Sequence, residues 1–438
     1  MFRREFWRNF DFWLPTISIA LAGLVWAATR PTPTAMAVQD RASAAVTAGV
    51  IIIIGLTRYL APVCCLTPTR PPSTLIIGGV ILLAGGAIVL VARRVAGLAG
   101  VVKAFTLAMI LLFILLKAEP LAQAASAGLR FLTGQATDLA AATDIRWLGF
   151  SYIAFRLLHS LRDRLSGRLP QVSLQEFIIY IIFFPALTAG PIDRIERFTK
   201  DLRKPVRLGA SELEKAGERL VAGIFKKFVL ADTLAIIALS PQKASEIHAS
   251  GWLWLALLAY ALRIYFDFSG YTDIAIGLGH LWGIQLPENF NQPYRKPNLT
   301  AFWNAWHITL AQWFRAYFFN PVTRALRSSK RKIPVPVIIF VGQTGTMLLI
   351  GLWHGINWNF AIWGLWHGIG LFAHNRWTEY TRVHPMRWSS NPKLKRAAGL
   401  AGTLLTFAYV TVGWIWFTLP TPEQSWQVLM RLLGFQGG

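Results

Sequence analysis

Four long apolar runs open the chain, at residues 14–28, 45–61, 75–92 and 101–116, and they are nearly free of charge. A helix needs about 20 apolar residues to cross the hydrocarbon layer. Runs slightly shorter than that span with the help of tilt or snorkelling flanks. A polar, alanine-rich stretch at 119–144 then interrupts the pattern and reads as a linker or an amphipathic helix. From residue 145 the apolar runs continue near 147–161, 174–189, 220–239, 252–268, 274–284, 302–319, 335–353, 360–372 and 400–419, now with polar residues inside them and frequent tryptophan. The pattern predicts an all-α, polytopic membrane protein of about ten to twelve membrane-embedded helices. It is organised as an N-terminal transmembrane block (1–118), the 119–144 segment, a core (145–420) and a tail (421–438).

Composition agrees with this picture. The chain is 54% hydrophobic and only 15% charged, where soluble domains carry about 25% charged residues. The net charge of +23 sits largely between apolar runs. Three basic loops at 193–207, 324–332 and 376–396 are expected to face the cytoplasm, which places the turn at 355–359 on the outer side. No basic, aromatic-interleaved domain lies outside the spans, so nucleic-acid binding is not indicated. Arg3, Arg4 and Arg8 before the first apolar run resemble a secretory leader, but the further spans favour a retained first helix. Cys64 and Cys65 are sequence neighbours, and neither a disulfide framework nor a zinc site is indicated. Pro287, Pro293 and Pro297 exclude a regular helix over 286–300. That segment is an extramembrane loop or a re-entrant one, and the latter implies a cavity around it.

Polar residues inside apolar segments are costly and so are candidates for function. Gly351-Leu352-Trp353-His354-Gly355 closes the run at 335–353. A neutral imidazole there suits a general base near neutral pH, and a structural histidine bonded to a neighbouring helix suits the position equally. The same five residue types recur thirteen positions later as Gly364-Leu365-Trp366-His367-Gly368, and spacing alone does not decide which histidine works. No Cys, Asp or Glu accompanies them, so no metal site is expected. In 302–319, helical periodicity puts Asn304, Gln312 and Arg315 on one side, with His307 one turn from Asn304 and Trp306 beside it. This predicts a half-buried helix with a polar stripe. Asp267 and Asp273 need partners in their apolar surroundings and are expected to brace the cavity rather than transfer protons.

These motifs, in order, resemble those of the membrane-bound O-acyltransferase family, in its bacterial alginate and peptidoglycan O-acetyltransferase and teichoic acid D-alanyltransferase branch. The resemblance covers about residues 145–420 and rests on several groups. These are Phe183-Phe184-Pro185 with Ala189-Gly190-Pro191-Ile192, Asp267-Phe268-Ser269-Gly270-Tyr271-Thr272-Asp273, Pro287-Glu288-Asn289-Phe290-Asn291, Phe302-Trp303-Asn304 with Trp306-His307, Trp313-Phe314-Arg315, and Gly351-Leu352-Trp353-His354-Gly355. It implies a ring of helices around a central tunnel, catalysis by His354 with His307 as second histidine, and no bound cofactor. Asn304, Arg315, Asp267, Asp273, Trp353, Trp306 and His367 are then candidates for substrate binding or cavity bracing.

The implied donor is a cytoplasmic acyl thioester, acyl-CoA or an acyl carrier protein. The implied acceptor is an extracytoplasmic glycan hydroxyl or an SGNH-hydrolase-like relay protein, across a bacterial cytoplasmic membrane. D-alanyl transfer to teichoic acid and a non-enzymatic transporter or flippase are the rivals. Two departures stand out. The acidic residue usual after Trp-Phe-Arg is Ala316 here, and residues 1–118 do not match the family start, although 1–62 faintly resembles membrane glycosyltransferases of cell elongation and division.

Overall fold

The computed structural model describes residues 10–60, 67, 70–132, 134–145, 147–206, 208–384 and 391–435. Cys64 and Cys65 lie outside the described residues, as do Arg3, Arg4, Arg8, Arg207 and Arg387. The described residues are helical with irregular connections and contain no strand. The protein is an all-α, polytopic membrane protein. Seven helices are long and apolar enough to cross a membrane among the described residues.

The chain divides into two compact units, 1–207 with 283–285, and 208–282 with 286–438. The first holds α1 (Phe10–Thr29), α2 (Val38–Leu56), α3 (Thr74–Leu90), α4 (Ala99–Lys117), α5 (Glu119–Leu132), α6 (Phe150–Leu165), α7 (Leu174–Ile182) and α8 (Ile195–Leu202). The spans built on α2, α3 and α4 bury only 11% of their apolar windows in protein. Their outward Leu, Ile and Val side chains suit lipid as solvent. The 119–144 stretch folds as α5 plus two short 3-10 turns, tied by a buried ion pair of Arg130 with Asp144 at 3.0 Å. Segment 147–161 becomes α6, a helix with a buried face that carries Arg156, His159 and Asp163.

The second unit holds α9 (Ala210–Ile224), which unwinds into a π turn at Phe225–Ala231 and ends in α10 (Asp232–Ala235), then α11 (Pro241–Glu246) and α12 (Ser250–Leu281). It continues with α13 (Leu299–Trp303), α14 (Ile308–Phe314), α15 (Asn320–Arg327), α16 (Val335–His354), α17 (Trp358–Val383), α18 (Pro392–Thr418) and α19 (Pro422–Leu432).

Two local expectations change. The runs at 252–268 and 274–284 are not separate segments but one 32-residue helix, α12. The polar residues between them do not break it, because Asp267 and Asp273 are charge-paired to α9 and its π turn. Lys227 reaches Asp267 at 2.5 Å, and Arg219 and Lys226 reach Asp273 at 2.5 and 2.6 Å. Glycines let the backbones approach there, since a Cβ on Gly270 would lie 2.8 Å from the carbonyl oxygen of Gly223.

The striped helix expected at 302–319 is broken. α13 stops at Trp303, and α14 starts only after His307, whose φ of 41° lies in the left-handed region. A side chain with a Cβ pays about 1 kcal/mol or more for that conformation. Asn304 and His307 therefore do not lie on one helical face.

Candidate active site

α16 and α17 form the most extensively packed helix pair of the second unit. They are joined by Gly355, Ile356 and Asn357, and the Asn357 side chain caps α17 by accepting from the Phe360 N–H at 3.0 Å. Gly351 faces Phe360, Gly364 faces Met347 and Gly368 faces Thr344 across the pair, which is an antiparallel register. A Cβ on Gly364 would lie 2.5 Å from the Met347 carbonyl oxygen, and one on Gly368 would lie 2.7 Å from the Thr344 Cα. Small residues four apart allow such contact between membrane helices. The glycines of the repeated pentapeptide are thus packing devices, and they set the two histidines at different depths along one hairpin.

His354 is the last residue of α16 and is half-buried. Its ring meets those of Trp353 at 4.6 Å, Phe417 at 4.7 Å, Trp363 at 5.7 Å and Phe360 at 5.8 Å. His307 sits at the α13–α14 break, 3% exposed, with its ring 4.6 Å from that of Phe268. Trp353 stands beside both histidines, its ring 6.1 Å from that of His307. His307 and His354 line one cavity of about 60 Å³, walled by Trp303, Trp306, Trp363 and Trp414, and by Ile264, Phe268, Leu310, Ile350 and Phe417. That volume admits a few waters or a short acyl group. The lining carries no carboxylate.

Asn289 holds His307. It lies in the proline-rich 286–300 segment and is fully buried. Its Oδ1 accepts from the Thr309 N–H at 3.3 Å and the Thr309 hydroxyl at 2.6 Å, and lies 3.4 Å from His307 Nδ1. A carbonyl oxygen cannot donate, so this contact puts the ring proton on Nδ1 and leaves the lone pair on Nε2. Sequence reasoning named the motif but did not single out Asn289. The signal available was the set of asparagines, Asn289, Asn291 and Asn298, in a segment that its prolines keep irregular.

The other candidates are placed elsewhere. His367 is fully buried but does not line the cavity; its ring lies 5.0 Å from those of Trp303 and Trp363 and 6.0 Å from that of Tyr409. Both its ring nitrogens lack a hydrogen-bond partner among the described residues. Gly413 makes room for it, since a Cβ there would lie 2.8 Å from His367 Nε2. Asn304 is exposed and accepts from Arg315 at 2.6 Å, so the pair is joined but stands apart from His307's own hydrogen bonds. Asp273 is buried between Arg219 and Lys226, with Arg219 also paired to Glu288, whereas Asp267 is half-buried beside Lys227. Among the described residues no three His, Cys, Asp or Glu side chains gather as a metal centre.

The model of the membrane-bound O-acyltransferase family matches residues 101–399. The chain belongs to that family. A probable alginate O-acetylase of Azotobacter vinelandii is 34% identical over 292 residues, which is 66% of this chain and 54% of that protein. A teichoic acid D-alanyltransferase of Streptococcus thermophilus is 33% identical over 239 residues, 53% of this chain and 58% of that one. A peptidoglycan O-acetyltransferase of Helicobacter pylori is 33% identical over 293 residues, 63% and 52% respectively. The chain spans about half the length of the curated relatives it matches. The membrane-bound O-acyltransferase match includes α12 to α17, and with them both histidines of the cavity.

Proposed function

We propose that this chain is a multi-pass O-acyltransferase of a bacterial cytoplasmic membrane. It moves an acyl group, acetyl first, from a cytoplasmic thioester to a hydroxyl of an extracytoplasmic glycan or of a relay protein. The observation that carries this reading is the pairing of His354 and His307 in one small aromatic cavity. Family membership and relatives named as acetyl and D-alanyl transferases support it.

In this reading His354 takes the proton of the acceptor hydroxyl as that oxygen bonds to the thioester carbonyl carbon. The carbon–sulfur bond then breaks, its electron pair leaves on sulfur, and the imidazolium returns the proton to the thiolate. His307, held by Asn289, positions the reacting group with its Nε2 lone pair. Trp306 forms part of the wall and excludes water, Trp353 packs against both histidine rings, and Asp267, Asp273, Asn304, Arg315 and His367 hold the surrounding helices. The basic segment at 324–332 draws in a phosphorylated donor, acyl-CoA or the prosthetic arm of an acyl carrier protein. An SGNH-hydrolase-like protein receives the acyl group on the far side. Acetyl is preferred to D-alanyl because an ammonium in the cavity meets no carboxylate.

The test is transfer of radiolabel from an acyl thioester to candidate acceptors by the purified protein in liposomes. Wild type should transfer acetyl and His354→Ala should not. Equal transfer by both removes the base from His354. D-alanyl transfer exceeding acetyl transfer reverses the acyl assignment, and no transfer with any donor or relay protein favours a transporter.

A further inference from the structure

A second cavity, of about 210 Å³, lies in the N-terminal unit, far larger than the histidine cavity. It is lined by Trp26 and Arg30 at the end of α1, Asp40 in the first turn of α2, and Pro170, Gln171 and Val172 just ahead of α7. Thr29 closes one candidate membrane span and Val38 opens the next. The cavity therefore sits where hydrocarbon gives way to head groups. Trp26 has the aromatic character favoured at that level, with its indole N–H donating to the Val172 carbonyl at 3.0 Å.

Two opposite charges face this cavity, and neither has a counter-ion among the described residues. Asp40 is 7% exposed, yet among the described residues its side chain accepts only from the Leu174 N–H, to Oδ1 at 2.9 Å. A carboxylate so buried without a cation is unfavourable. Arg30 lies over the Trp26 ring at 5.3 Å and, among the described residues, donates only to neutral acceptors: the Thr34 carbonyl at 3.0 Å, the Thr34 hydroxyl at 2.6 Å and the Ala35 carbonyl at 3.1 Å. The two side chains share the cavity without forming an ion pair with each other. An occupant that satisfies both must carry both signs.

We propose that this cavity binds the head group of phosphatidylethanolamine, a zwitterionic phospholipid with a primary ammonium. The phosphate faces Arg30, whose guanidinium suits phosphate oxygens. The ammonium donates to the free oxygen of Asp40, and the acyl chains run along the lipid-facing helices. A quaternary ammonium cannot donate hydrogen bonds, so phosphatidylcholine binds less well.

The experiment is native mass spectrometry of the full chain, delipidated in detergent and titrated with single lipids. Phosphatidylethanolamine should bind about tenfold more tightly than phosphatidylglycerol, the scale of one charge-assisted hydrogen bond. Asp40→Asn keeps the acceptor for Leu174 and should erase that preference. Arg30→Gln, at a half-exposed position, should weaken both lipids together. Equal binding of the two lipids by the wild type, which needs no variant to fold, overturns the proposal. So does an Asp40→Asn protein that melts like wild type and keeps the preference. Free phosphoethanolamine that displaces the lipid at equal concentration overturns the lipid assignment in favour of a soluble zwitterion.

Discussion

The same five residues occur twice on one helical hairpin, and their histidines end in different surroundings. His354 terminates α16 beside a three-residue turn, half-buried, and shares a cavity with His307. His367 lies mid-helix in α17, fully enclosed by aromatic rings, with no polar partner among the described residues. The glycines do the same work in both copies, since Gly351, Gly364 and Gly368 all let the two backbones touch. A motif can thus recur for packing while only one copy lines a cavity.

The sharpest way to break this contrast is His354→Ala in the liposome transfer assay. We expect a fall of about 10²–10⁴ in rate, the range for losing a general base. Transfer unaffected by this change but lost in a stably folded His367 variant would exchange the two roles.

Next is Asn289→Ala, which frees the His307 ring and removes the bond that sets its tautomer. A drop of about ten- to a hundredfold in kcat is expected, comparable to losing an outer-shell orienting partner. KM should change little, and an unchanged kcat would show that His307 needs no orientation.

Gly351→Ala places a Cβ against the Phe360 carbonyl. It should destabilise the hairpin by about 1–3 kcal/mol, as overpacking does, read as a lower melting temperature and lower transfer. If melting is unaltered, the two helices are not held as close as the register implies.

The smallest effect belongs to His367→Leu. Removing two unpartnered ring nitrogens from an aromatic enclosure should leave the melting temperature equal or slightly higher and transfer within about threefold, since an unsatisfied buried polar group is itself unfavourable. A large loss of stability would mean that His367 has a bound partner, such as an internal water.

Much of the architecture was legible because bilayer thickness imposes length and apolarity on every span. The runs at 75–92 and 101–116 became α3 and α4 with modest changes at the ends. Site positions were less legible. Helical periodicity placed His307 one turn from Asn304, but periodicity holds only along an unbroken helix, and the left-handed turn at His307 breaks it. Asn289, eighteen residues earlier, holds the ring instead. Likewise hydropathy separated the runs at 252–268 and 274–284, yet they are one helix in which cations from α9 and its π turn pair with Asp267 and Asp273.

The sequence by itself determined that this is a polytopic helical membrane protein, and its ordered motifs pointed to the family and to His354 as the leading histidine. Hydrophobicity and motif order are local, one-dimensional properties, and the bilayer reads them directly. Which histidines share a cavity, which asparagine orients one of them, and which copy of the pentapeptide is sealed away depend on contacts between segments distant in the chain. Those were decided only when glycine-mediated helix approach, a strained backbone turn and a buried amide brought the segments together.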